Sequence, residues 1–62
     1  MTADNQLLFS PERAADKLDV GRTTVYQLMA SGELKSIKIG RSRRIPAAAL
    51  EEYVGRLVQG AA

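Results

Sequence analysis

The chain has 62 residues, with nine Lys or Arg, seven Asp or Glu, a net charge of +2, and neither Cys nor His. That length allows one domain with a small core; the missing side chains exclude a disulfide framework, thiolate or imidazole metal sites and an imidazole base. No run is long and apolar enough to span a membrane, and Met1-Thr2-Ala3-Asp4-Asn5 lacks the basic start of a signal peptide, so a soluble, cytoplasmic protein is expected. Residues 1–6 read as a flexible N-terminus, 7–58 as the domain and 59–62 as a short tail.

Leu7-Leu8-Phe9 is a short apolar segment, expected to be extended and to tuck against the core. Ser10-Pro11-Glu12 then reads as a helix start, with a hydroxyl cap, proline in the first position and a carboxylate near the positive end of the dipole. The helix should run to about Leu18 with Ala14, Ala15 and Leu18 facing inward. Asp19-Val20-Gly21 is a tight turn in which Val20 is expected to be an apolar plug.

Gly21 caps a second helix that ends at Ser31-Gly32, where glycine is a natural left-handed stop. Val25, Leu28 and Met29 form its inner stripe, and Leu28 is expected to be buried. Arg22, Thr23, Tyr26 and Gln27 fall outside that stripe. They carry a guanidinium, two hydroxyls and a carboxamide, groups suited to phosphates and base edges. Two short helices around a glycine-containing turn form a helix-turn-helix, with the second as recognition helix. An ordinary amphipathic pair would share the pattern, so the flanking sequence has to decide.

After Gly32 the period changes to alternation. Ile37 and Ile39 face one way with Lys38 between them, Gly40-Arg41-Ser42 turns, and Arg43 and Ile45 return on alternate positions. This is a small hairpin with Arg41 at or near the tip. Arg43 and Ile45 share parity, so the strand has to twist or shift if Arg43 is to avoid the core. Pro46 closes the hairpin and opens the last helix, where Leu50, Tyr53, Val54, Leu57 and Val58 make the cleanest helical stripe in the chain. That helix should cover the hairpin and the first helix, with any excess stripe serving as a protein-contact surface.

The charges are unevenly placed. Between Arg22 and Arg44 six bases accompany one acid, for +5, whereas the rest of the chain carries −3. A basic middle between acidic flanks suits a polyanion approached from one face. Arginines at 41, 43 and 44 around a glycine turn exceed what blunting an exposed strand edge requires, and fit a wing that grips phosphates or a minor groove.

Five segments in order carry a family resemblance: Leu8–Glu12, Leu18–Tyr26, Gly32–Leu34, Ile39–Pro46 and Ala49–Tyr53. Together they resemble the excisionase/MerR-like winged helix-turn-helix domain, an α+β, mostly α fold of helix, helix, β-hairpin wing and helix. The resemblance covers about residues 7–58. One departure is Gly21, where the family more often has Ser as the cap of the recognition helix. The resemblance implies major-groove contact by Arg22, Thr23, Tyr26 and Gln27, with Lys38, Arg41, Ser42, Arg43 and Arg44 of the wing on the adjacent backbone or minor groove.

A stand-alone head of this size looks most like a phage excisionase, or recombination directionality factor. Such proteins bind double-stranded attachment-site DNA, bend it, associate head to tail and direct a tyrosine integrase towards prophage excision. No cofactor, metal, small-molecule substrate or catalytic set is expected. Two alternatives stand beside this: a small phage transcription regulator of the same fold, and a protein-interaction module docking on a recombinase through the Leu50–Val58 helix.

Overall fold

The computed structural model of the chain describes residues 6–60. The elements are β1 (Leu8–Phe9), α1 (Pro11–Leu18), α2 (Arg22–Ser31), β2 (Ile37–Ile39), β3 (Ser42–Pro46) and α3 (Ala47–Gly60). This is the small winged helix-turn-helix that the resemblance implies. Of the stretches expected to be flexible ends, residues 1–5 and 61–62 lie outside the described residues.

The helix starts and stops follow from local chemistry. The Ser10 side chain accepts the backbone N–H of Arg13 at 3.1 Å, and Pro11 follows in the first helical position, buried. At the other end of α1, Asp19 adopts φ 58°, ψ 45°; its N–H reaches the Asp16 carbonyl, and the Val20 N–H reaches that of Ala15 at 3.0 Å. These two bonds make a Schellman stop, here built on an aspartate instead of glycine. Val20 therefore ends the motif at the surface, 41% exposed, and is not the plug its position in the turn suggested. In α2 the stop is Gly32 at φ 84°, whose N–H bonds the Met29 carbonyl at 3.2 Å.

The three strands form one antiparallel sheet in the order β1-β3-β2. β3 is central: Phe9 pairs with Ile45 on one side, while Ile37, Lys38 and Ile39 pair with Arg44, Arg43 and Ser42 on the other. The core lies between this sheet and the helices and comprises Phe9, Ala14, Ala15, Val25, Leu34, Ile45, Ala49 and Leu50. Leu18, Leu28, Met29, Ala47 and Tyr53 pack around it half-buried. Leu28 is thus a rim residue, because two alanines of α1 bring the helices together around Val25 instead.

α3 is attached at its first turns. The Ala47 N–H bonds the Leu7 carbonyl at 2.8 Å, and Ala49 and Leu50 enter the core. Arg56 holds the middle of the helix, donating to the Glu33 backbone carbonyl and pairing with Glu52 at 3.6 Å. Val54, Leu57 and Val58 remain 42%, 52% and 67% exposed. The expectation that this helix is chiefly core holds for its first half alone, since 14 residues outrun the small body beneath them.

Candidate nucleic-acid interface

α2 positions four of the side chains singled out from the sequence. With Val25 fully buried and Leu28 and Met29 half-buried, the helix has one rotation relative to the core. Arg22, Thr23, Tyr26 and Gln27 are exposed in that rotation. The helix starts at Gly21, which has no side chain with which to cap the N-terminal amide groups. Such a terminus is favourable to an anion.

The wing is a two-residue hairpin loop. Gly40 takes φ 61°, whereas Arg41 has no positive φ, so the left-handed turn residue is glycine and the tip side chain belongs to arginine. Lys38 and Arg43 lie opposite each other on the ladder, and Ser42 opposite Ile39; Lys38, Arg41, Ser42 and Arg43 are all exposed. The parity conflict between Arg43 and Ile45 resolves without a register shift. β1 is only two residues long, so the core extends under Ile45 but not under Arg43.

Arg43 instead borders a shallow depression with Tyr26, Met29 and Ala30 of α2, and its guanidinium donates to the Ser36 hydroxyl at 3.2 Å. The wing and the exposed side of α2 are therefore adjacent. Arg44 differs from its neighbours: it is half-buried, and its guanidinium turns back to the Arg43 carbonyl at 2.8 Å.

One residue of this surface was not anticipated. Glu12, read from the sequence as a first-turn helix acid, accepts the Tyr26 hydroxyl at 3.1 Å across 14 positions of chain. Its carboxyl is held below the ordinary range by its own backbone amide at the helix start, then by the Tyr26 hydroxyl and by the Arg22 and Arg44 charges. Tyr26 is correspondingly pushed up, foremost by the hydrogen bond to Glu12. No local pattern signals such a pair, because it depends on how α1 crosses α2.

Among the described residues no group of His, Cys, Asp or Glu is arranged to hold a metal, and no helix is long and apolar enough to cross a membrane. Comparison with known proteins gives a consistent picture. Residues 8–57 match the family described as a helix-turn-helix domain. The chain is 50% identical over 54 residues to a probable excisionase of Saccharopolyspora erythraea, covering 87% of this chain and 55% of the relative. It is 42% identical over 53 residues to an excisionase of Streptomyces ambofaciens, covering 86% of this chain and 84% of that relative. The chain thus spans about half the length of the first relative and most of the second. No solved structure matches at a significant level. On the strength of the domain match and both relatives, the chain belongs to the excisionase-type helix-turn-helix family.

Proposed function

We propose that the protein is an excisionase that binds attachment-site DNA, bends it and directs a tyrosine integrase towards excision. The observation that carries DNA binding is the adjacency of two surfaces: the exposed Arg22, Thr23, Tyr26 and Gln27 of α2, and the wing whose Arg43 lies beside Tyr26. An α-helix fills a major groove, and a basic hairpin beside it reaches the flanking phosphates or minor groove. Arg22 and Gln27 are the base readers, since each offers paired hydrogen bonds to a guanine or adenine edge. Arg41, at the tip, is the foremost wing contact; Lys38, Ser42 and Arg43 support it, and Arg44, turned inward, contributes charge at longer range. The names of the two relatives support the excisionase role.

One such head covers only a few base pairs, so a single protomer binds weakly and bends DNA little. We assign the exposed Val54, Leu57 and Val58 of α3 to protein contact, with a neighbouring protomer or with integrase. Head-to-tail contacts of this sort build open arrays on DNA and leave the free protein monomeric.

Footprinting on attachment-site DNA, with and without the integrase, tests the proposal. Protection of several adjacent sites, extended or strengthened by integrase, is the expected result. Protection of a promoter with no response to integrase would make the protein a transcription regulator. Absence of any salt-sensitive affinity for DNA, together with capture of the recombinase by α3, would make it an interaction module instead.

A further inference from the structure

The Glu12–Tyr26 hydrogen bond has a polarity. A tyrosine hydroxyl has one proton to donate and two lone pairs to accept with. The carboxylate of Glu12 only accepts, so the single proton of Tyr26 lies on the 3.1 Å line towards Glu12. What the phenol then presents outward is acceptor capacity alone. Phosphate oxygens are acceptors too, and a phosphate approaching Tyr26 finds no proton there and a carboxylate directly behind. On the major-groove edge of the bases the hydrogen-bond donors are the exocyclic amino groups, N4 of cytosine and N6 of adenine.

We propose that Glu12, a residue of α1 outside the recognition helix, determines specificity by fixing Tyr26 as an acceptor, so that Tyr26 reads a base amino group in the major groove instead of a phosphate. This rests on the DNA-binding reading above. The surroundings suit the role. Tyr26 is 48% exposed and sits on the outer side of α2, with Arg22 one turn before it and Arg43 of the wing beside it. Arg22 and Arg44 both place positive charge near the Glu12 carboxylate, which offsets its repulsion of DNA. Glu12 comes from α1 and Tyr26 from α2, so the proton's direction is set by how the two helices pack and is in place before DNA arrives.

The test uses duplexes enriched from a random library by the full wild-type chain. Each adenine or cytosine of the enriched site is replaced in turn by purine or pyrimidin-2-one, which lack the amino group, and each phosphate in turn by methylphosphonate. For the wild type, removal of one amino group should weaken binding about 3- to 10-fold, the worth of one hydrogen bond. The analogue that causes the loss tells adenine from cytosine. Tyr26→Phe should be indifferent to that same substitution, and Glu12→Ala, which removes the acceptor and frees the phenol proton, should lose the preference while keeping the positions read by Arg22. Both positions are exposed, and thermal melts of the variants verify that they fold. A wild-type loss at one methylphosphonate that Tyr26→Phe abolishes, with no amino-group dependence, would overturn the inference and make Tyr26 a phosphate contact. An identical base preference in all three proteins would also overturn it while leaving DNA binding intact. Enrichment of no site by the wild type would overturn both.

Discussion

Phe9 and Ile45 face each other across the β1–β3 ladder, 5% and 0% exposed, and this one pair joins the N-terminal strand, the base of the wing and the helical core. Its neighbours in the core include Ala14 and Ala15 of α1 and Leu50 of α3. Ile45→Ala leaves a cavity where the sheet meets the helices and should cost about 2–5 kcal/mol. In a domain of this size that is a large share of the total stability. Leu28→Ala, at the rim, should cost less, and denaturant melts of the two variants check the order.

Asp19 is the non-glycine residue with a positive φ among the described residues. A left-handed conformation costs an L-residue about 1–2 kcal/mol, somewhat less for aspartate, and a negative charge also sits badly at a helix C-terminus. Asp19→Gly keeps both Schellman hydrogen bonds and removes both penalties. The expected gain is about 0.5–1 kcal/mol after the extra freedom of the unfolded glycine is counted, seen as a higher Tm. A lower Tm would mean that the Asp19 side chain stabilises the turn in some further way.

Gly40 also has a positive φ, 61°, but a Cβ built there meets nothing within 4 Å. Substitution is opposed by backbone conformation and not by crowding. Gly40→Val should therefore unsettle the two-residue loop by about 1–2 kcal/mol and move Arg41 without removing any charge. If the wing contacts DNA, affinity falls while the core melts nearly as before. Arg41→Ala makes the complementary change: it should weaken binding to all sequences alike and lower the salt slope by about one if Arg41 meets phosphate. Salt titrations of both variants against two flanking sequences separate the cases, and unchanged affinity in both would leave the hairpin as scaffold.

How much of this was legible in the sequence depended on the range of the cause. Ser10, Gly32 and Gly40 act through their own backbone or the next turn, and each does locally what its residue type implies. The Arg43–Ile45 conflict was visible as a problem, yet its solution required knowing that β1 stops after two residues. Leu34, 1% exposed in a loop, escaped any periodic search because no repeat includes it. The α3 stripe over-predicted burial, since periodicity reports which face is apolar and says nothing of how far the body beneath extends. Glu12 was recognised for its helix and missed for its partner, because the relation to Tyr26 exists only after α1 and α2 pack.

That same pair should leave a signature in the pH dependence of stability. Glu12 is lowered in the folded state, so its contribution is present above the ordinary carboxylate value and is lost as pH falls through the lowered one. Tyr26 is raised, so its contribution is present below the ordinary phenol value and is lost as pH rises through the raised one. Between those limits the hydrogen bond is complete and its effect flat. The Tm difference between wild type and Glu12→Gln should accordingly form a plateau across neutral pH and shrink at both the acid and the alkaline end. Both groups are exposed, so the plateau should be low and should fall further in high salt as the Arg22 and Arg44 contributions are screened. The alkaline limb can be assigned directly. The chain has two tyrosines, so in a Tyr53→Phe background the ultraviolet titration reports Tyr26 alone. Adding Glu12→Gln to that background should move the titration down towards the ordinary phenol value, and an unmoved curve would show that the bond to Glu12 is not what raises it.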